Sequence, residues 1–133
     1  MALIPVDPTT LKDVIAEFGD DDYRQHLDQV QFVPSSSTAS WTGLGLNTFT
    51  DVATATWTVN LSGAQDWSAT GLSRFLFEHE GEEVDFTFRP RSGEGPSFTT
   101  TVRITPGAIG GSVNQVAPFS VSLGCDKPEL IAA

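Results

Sequence analysis

Residues 52–61 constrain the fold of this chain more than any other segment, because their side chains alternate between apolar and polar. Neighbouring residues of a strand point to opposite faces. One face then carries Ala53, Ala55, Trp57, Val59 and Leu61, and the other carries Thr54, Thr56, Thr58 and Asn60. A strand with one dry and one wet face is typical of an antiparallel sheet.

Three further segments predict strands by the same period of two: residues 84–89, 98–104 and 116–123. Pro90 ends the first of them, and a glycine-rich turn at residues 91–96 predicts a hairpin between the first two. The residues predicted to face inward are Val84, Phe86, Phe88, Phe98, Thr100, Val102, Ile104, Phe119, Val121 and Leu123.

The segment before residue 52 is less regular. Residues 27–33 predict a strand that ends before Pro34, and residues 35–40 predict a polar loop. Residues 41–51 contain two glycines and an asparagine, which indicate a loop with no regular strand.

One helix is clearly indicated, at about residues 68–80. Its apolar face carries Leu72, Phe75, Leu76 and His79. Ser68 or Thr70 can cap its start, and Gly81 is placed to end it. Residues 11–18 fit either a two-turn helix or a strand, and their periodicity alone leaves both open.

These elements predict a mainly β fold: an antiparallel β-sandwich or partly open barrel with one flanking α-helix. With 133 residues we expect one domain over residues 1–133, with an N-terminal arm of about residues 1–10 and a mobile C-terminal tail of about residues 126–133. We expect no signal peptide and no membrane insertion, because no apolar run approaches the roughly 18 residues of a membrane span.

The net charge of −10, from 7 Lys+Arg against 17 Asp+Glu, argues against two classes of protein. Binding to nucleic acid needs a cationic surface, and so does a polybasic contact with lipid headgroups. The charge therefore favours a protein whose function does not depend on holding phosphate.

No pattern in the sequence marks a catalytic, metal or cofactor site. His26 and His79 have no partner at metal-ligand spacing, and Cys125, the one cysteine, has no histidine beside it in the sequence. The acidic run at residues 20–22 lacks the spacing of a calcium loop. We therefore expect no enzyme activity and no cofactor.

The three tryptophans favour a binding or assembly protein. Trp57 lies on the apolar face of a strand and is expected in the core, whereas Trp41 and Trp67 adjoin loops. Loop tryptophans suit a protein interface or a sugar-binding face.

Six segments then carry a resemblance: residues 33–37 (VPSSS), 41–44 (WTGL), 49–61 (FTDVATATWTVNL), 64–67 (AQDW), 72–82 (LSRFLFEHEGE) and 105–111 (TPGAIGG). In order and spacing they resemble the major tail proteins (tail tube proteins) of long-tailed bacteriophages, especially of actinobacterial hosts. The resemblance spans roughly residues 23–128 and includes no catalytic signature.

The resemblance implies a structural virion protein that is assembled in the host cytoplasm. Such subunits close into hexameric rings, and the rings stack into a hollow tube through which genome DNA passes. The implied partners are further copies of the chain, the tape measure protein, the tail terminator and distal tail proteins. The resemblance also favours the strand over the helix at residues 11–18.

Ring stacking needs segments that find no packing partner in their own domain. We expect residues 35–51 to supply the stacking contact, with Trp41, Leu44, Leu46 and Phe49 as apolar anchors, and the two termini to contribute second. Two alternatives stay open at this point. One is a carbohydrate-binding β-sandwich for receptor binding or capsid decoration, and the other is a tail terminator or head–tail joining ring.

Overall fold

The computed structural model describes residues 2–91 and 95–132. Within them, β strands and one helix follow each other along the chain. Their bounds are β1 Ile15–Phe18, β2 Asp21–Asp22, β3 Leu27–Ser35, β4 Thr38–Thr42, β5 Thr48–Val52, β6 Thr56–Ala64, α1 Leu72–Glu78, β7 Glu83–Arg89, β8 Ser97–Arg103, β9 Pro118–Cys125 and β10 Glu129–Ile131.

The main sheet has the strand order β2-β1-β7-β8-β9-β6-β3, with antiparallel pairing throughout, and β10 pairs with β8. β8 and β9 share one register pair, Val102 with Cys125, so the sheet folds over at this point. The ring of Phe32 on β3 consequently lies 5.9 Å from those of Phe86 and Phe88 on β7. The predicted antiparallel β-sandwich with one helix is confirmed.

The core lies between the two layers, where the inward-facing residues of each strand meet. Phe86, Val59, Leu123 and Val102 are fully buried, as the alternation predicts. The apolar face of α1 adds Leu72 and Leu76 to the same cluster. Among the described residues, no helix has the length and apolarity that a membrane crossing requires.

The predicted end of a strand before Pro34 is wrong. β3 continues through Pro34 to Ser35, and Pro34 pairs with Trp57 of β6. β3 lies at the end of the strand order, where a proline removes no hydrogen bond between two paired strands.

The loop predicted for residues 35–51 is also wrong, because β4 and β5 pair there as a hairpin. Its glycines are confined to the turn between the strands. The predicted strand at 52–61 is divided: β5 ends at Val52 and β6 begins at Thr56. Two residues, 36–37, lie opposite three, 53–55, so the ladder is interrupted as in a β-bulge.

Residues 15–18 form strand β1, which pairs with β7, so the strand is confirmed for this part of residues 11–18 and the helix is not. Ala16 and Phe18 are buried and Ile15 and Glu17 are half-buried, which is the alternation of a strand. Gly19, with φ of +62°, turns the chain from β1 into β2.

The helix is shorter than predicted, and neither Ser68 nor Thr70 caps its start. Gly71 is the N-cap and makes no side-chain capping bond, while the N–H of Ser68 donates to the carboxylate of Asp66. A Cβ on Gly71 would lie 2.1 Å from the carbonyl oxygen of Asp66, so the chain enters the helix through a position that admits only glycine. Gly81 follows the helix with φ of +85°.

The predicted hairpin between β7 and β8 is confirmed by their antiparallel pairing, although residues 92–94 of its turn lie outside the described residues. The tail predicted to be mobile instead forms β10, which pairs with the start of β8. The hydroxyl of Thr100 donates to the carbonyl oxygen of Asp126 at 2.7 Å and fixes the approach to β10.

Candidate assembly interface

The β4–β5 hairpin forms a two-stranded sheet of its own, apart from the main sheet. All ten residues of its two strands are exposed. The hairpin extends the antiparallel pair β3–β6 beyond the interruption at residues 36–37 and 53–55. At about 3.3 Å per residue, each five-residue strand adds roughly 17 Å of projecting hairpin.

The two faces of this hairpin differ in chemistry. Trp41 and Phe49 are register partners and therefore lie side by side on one face, which we call the aromatic face. Ala39 and Asp51 are the next pair on that face. The opposite face carries the pairs Thr38–Val52, Ser40–Thr50 and Thr42–Thr48.

The aromatic face is open to solvent, with Trp41 61% and Phe49 62% exposed. Large apolar side chains that are exposed together on a projecting element are unusual in an isolated domain and typical of an interaction site. The four predicted anchors are therefore not a small core beneath a loop. Whether they make the stacking contact stays a prediction.

The tip of the hairpin presents the other two predicted anchors. Leu44 and Leu46 are more than four-fifths exposed. The N–H of Gly43 donates to the carbonyl oxygen of Asn47 at 2.8 Å, and the N–H of Leu46 donates to that of Gly43 at 3.0 Å. These bonds close a tight turn around Leu44.

Leu46 has φ of +63°, a left-handed conformation that glycine adopts without penalty and leucine rarely adopts. No packing of the exposed side chain within the domain offsets this strain. A bulky apolar residue at such a position is typical of a functional site where the side chain itself is needed.

Sequence reasoning missed Ala39 and Asp51 as members of the aromatic face, because it interpreted residues 35–51 as a loop. The missed signal is the alternation in residues 38–42 and 48–52 on either side of a Gly-Leu-Gly-Leu-Asn turn. Trp41 and Phe49 are then equidistant from the turn, which places them opposite each other.

The other two tryptophans lie on other elements. Trp57 lies on the same face of β6 as Val59, but it is only half-buried and does not belong to the core cluster, so the expectation that it lies in the core is wrong. Trp67 is 39% exposed, and its ring lies 6.0 Å from that of Phe77 on α1. Trp41 and Trp67 thus belong to separate exposed aromatic pairs.

Gln65 holds a long loop against the body of the domain beside Trp67. Its Nε2 donates to the carbonyl oxygens of Gly110 and Pro118, both at 2.7 Å. Its Oε1 accepts hydrogen bonds from the N–H of Gly110 at 3.1 Å and from Nε1 of Trp67 at 3.0 Å. All four bonding positions of the amide are used, so Gln65 fixes where the loop between β8 and β9 enters β9.

The N-terminal arm is exposed along its described part. Leu3, Ile4 and Val6 are each more than four-fifths exposed. The C-terminal tail exposes Leu130 and Ile131 less fully, because β10 is paired with β8. Both termini therefore keep apolar side chains available for contact, and their role in stacking stays a prediction.

Two rows of polar side chains cross the outer face of β9, β6 and β3, and beside them the carboxylate of Asp28 accepts a hydrogen bond from the hydroxyl of Ser62 at 2.7 Å. Gln31, Asn60 and Ser122 form one row across the three strands, and Gln29, Ser62 and Ser120 form the next. The hydroxyl of Ser122 donates to Oδ1 of Asn60 at 2.6 Å. On its other side β3 pairs with no strand in the described part of the chain, so it leaves a free sheet edge.

The two histidines have structural surroundings. Nε2 of His26 lies 2.9 Å from Oδ2 of Asp66, and Nδ1 of His79 lies 3.0 Å from the carbonyl oxygen of Phe75. Hydrogen bonds from the backbone and side chain of Ser68, and then from His26, lower the pKa of Asp66. Burial raises the pKa of the Cys125 thiol, which disfavours the reactive thiolate. Across residues 2–91 and 95–132, no group of three or more His, Cys, Asp or Glu side chains is arranged to hold a metal ion.

Comparison with known proteins finds similarity in structure alone. No protein-family model matches the sequence, and no curated protein matches it. Membership of the actinophage tail protein family therefore has no support at the level of sequence comparison.

Two solved structures share the fold. A chain of the sheath–tube complex of an extracellular contractile injection system (PVC), in its extended state, superposes with a TM-score of 0.67 at 16% identity over 95% of this chain and 93% of the other. A chain of the sheath/tube terminator of the same kind of system superposes with a TM-score of 0.63 at 16% identity over 99% of this chain and 100% of the other. The likeness covers at least 93% of each chain compared, so it concerns the fold of the domain as a whole.

Proposed function

We propose that this protein is the structural subunit of a tail tube, in which hexameric rings stack into a hollow conduit. The observation that carries the proposal is the β4–β5 hairpin, whose ten strand residues are exposed and whose aromatic face pairs Trp41 with Phe49. The full-length likeness to chains of a sheath–tube complex and a tube terminator supports the same conclusion.

The energetics of the hairpin favour assembly. An aromatic side chain can bury about 150–250 Å², so burying the exposed parts of Trp41 and Phe49 contributes about 3 kcal/mol each at about 25 cal/mol per Å². A stacking contact is heterologous, so the same gain is repeated at every copy as the filament grows. The hairpin thus supplies an axial contact that an isolated subunit leaves unused.

The polar faces and free edge of the sheet suit a ring with a water-filled channel. A free edge such as that of β3 is an aggregation hazard unless it is paired, and closing a ring of subunits pairs such edges. The polar rows on β9, β6 and β3 contain no Lys or Arg, so they offer a wetted wall that gives DNA phosphates no cationic contact. Because the chain carries a net charge of −10, carboxylates around such a wall repel DNA phosphates over a Debye length of about 8 Å and let the genome slide.

In this proposal the protein belongs to the virion of a long-tailed phage (a siphovirus) and is assembled in the host cytoplasm. Its partners are other copies, the tape measure protein, the tail terminator and distal tail proteins, and it catalyses no reaction. Negative-stain electron microscopy of concentrated protein is the test. Rings and tubes with a continuous lumen are expected, and a monomer at every concentration and salt condition would refute the proposal.

A second candidate is a terminator ring, which the 99% and 100% coverage of the tube terminator chain favours. A terminator closes a tube and does not extend it. The same micrographs distinguish the two, because a terminator forms single rings that do not stack.

A further inference from the structure

An apolar groove of about 520 Å³ opens between the two layers of the sandwich. Its floor is aromatic and includes Phe32, Trp57, Phe88 and Phe98. The ring of Phe32 lies 5.9 Å from that of Phe88 and 6.4 Å from that of Phe98, so the floor joins both layers. Leu11 from the N-terminal segment forms part of its lip.

The groove has one charged side chain among the residues that line it, and that side chain is Lys127. An apolar groove that includes one cation suits an apolar partner that carries negative charge.

The aromatic face of the β4–β5 hairpin has this chemistry. Trp41 and Phe49 lie on it together with Asp51, the one charged residue in the two hairpin strands. The hairpin does not fill the groove of its own domain, since all of its strand residues are exposed. The hairpin and the groove are therefore both unoccupied in the single subunit.

We propose that the aromatic face of the hairpin docks into this groove on a second copy of the chain, with Asp51 placed toward Lys127. The inference rests on the proposed function and names the receptor of the hairpin. Each copy offers one hairpin and one groove, so the contact passes from copy to copy.

Disulfide trapping tests the contact in the full-length chain. The background is Cys125→Ser, which removes the one native cysteine. Copies with Ala39→Cys on the aromatic face are mixed with copies carrying Pro128→Cys at the groove and oxidised under assembling conditions. The matched control replaces Ala39→Cys with Ser40→Cys, the next residue, which lies on the opposite face of the hairpin. At least tenfold more mixed dimer is expected with Ala39→Cys than with Ser40→Cys.

Equal trapping from the two faces would overturn the inference. So would preferential trapping of Pro128→Cys by Val6→Cys, which would place the N-terminal arm of a neighbour in the groove. If the wild-type protein forms tubes while Ala39→Cys is not trapped, the docking is wrong and the proposed function stands. If the wild-type protein never assembles, the proposed function fails first.

A charge exchange supplies an independent readout that does not need cysteine. Asp51→Lys and Lys127→Glu should each raise the concentration needed for assembly about tenfold. The double variant should assemble at a concentration close to that of the wild type, because the ion pair is restored with its signs reversed. Additive losses in the double variant would contradict the placement of Asp51 toward Lys127.

Discussion

His26 and Asp66 are joined by a 2.9 Å contact between Nε2 and Oδ2, which ties the start of β3 to the loop that leads into the helix. Asp66 also accepts a hydrogen bond from the N–H of Ser68 at 3.0 Å. One carboxylate therefore sets both the approach to α1 and the position of that approach against the sheet.

The first prediction concerns acid stability. The hydrogen bonds from Ser68 and His26 lower the pKa of Asp66 below its ordinary value of 3.8 in the folded protein. Its stabilising contribution is therefore complete above that value and is lost as pH falls through the lowered pKa. Asp66→Asn should be less stable than wild type at neutral pH and should lose less stability on acidification, as measured by urea unfolding at a series of pH values. Asp20→Asn, in an exposed turn, is the control, and parallel pH profiles for wild type and Asp66→Asn would contradict the assignment.

The second prediction concerns Gly63 in β6. A Cβ at this position would lie 1.9 Å from the carbonyl oxygen of His26, so Gly63→Ala forces the backbone of β3 away. We expect a loss of about 1–3 kcal/mol in the free energy of unfolding, the range for overpacked sites. Gly124→Ala in β9 is the matched control, because a Cβ there meets nothing within 4 Å. Its effect should stay within about 0.5 kcal/mol, and equal effects of the two substitutions would show that the close approach is not limiting.

The third prediction concerns Gln65. Gln65→Glu replaces the donor that serves Gly110 and Pro118 with an oxygen facing two carbonyl oxygens, which removes two hydrogen bonds and adds repulsion. The expected loss is about 1–3 kcal/mol, with faster amide hydrogen exchange at Gly110. The exposed Gln31→Glu should change neither quantity. Unchanged exchange at Gly110 would mean that the loop is held by other contacts.

The strands could be predicted wherever apolar and polar residues alternate because one face of the strand is buried. Phe86 and Phe88 alternate with polar residues, and both are buried as predicted. The alternation of apolar and polar residues is weaker at the β4–β5 hairpin, because neither face of the hairpin packs on the core. The sequence around Trp41 and Phe49 therefore does not indicate a buried face. The strand end predicted at Pro34 was wrong because the penalty for proline depends on whether a strand is central or at the edge of a sheet, which the sequence does not show.

The candidate interface was predictable in part. Glycines around Leu44 indicate an irregular segment, and apolar residues in such a segment suggested a contact outside the domain. The pairing of Trp41 with Phe49, the left-handed backbone at Leu46 and the groove around Phe32 depend on register and on the packing of distant strands. A single sequence records none of these directly.

The fourth prediction separates assembly from folding with two aromatic residues. Trp41→Ala, at an exposed site, should change the free energy of unfolding by no more than about 0.5 kcal/mol and should abolish tube growth. Phe86→Ala removes a fully buried ring from the core and should destabilise the domain by about 3–5 kcal/mol. Urea unfolding measures the first quantity and sedimentation the second. Loss of the fold in Trp41→Ala would place that residue in the core and remove it from the interface.

The fifth prediction uses the strained backbone at the tip of the hairpin. A left-handed conformation disfavours an L-residue by about 1–2 kcal/mol, so Leu46→Gly should relieve strain at φ of +63° and make the turn more stable. Slower exchange of the Gly43 and Leu46-position amides, both of which donate hydrogen bonds within the turn, would report this gain. Assembly should weaken nonetheless, because the substitution removes an apolar side chain that is 86% exposed in the subunit. Leu46→Asn, which tolerates the same conformation, should behave alike. A Leu46→Gly protein that assembles as readily as wild type would show that this side chain makes no contact between copies and would leave its strain without a function.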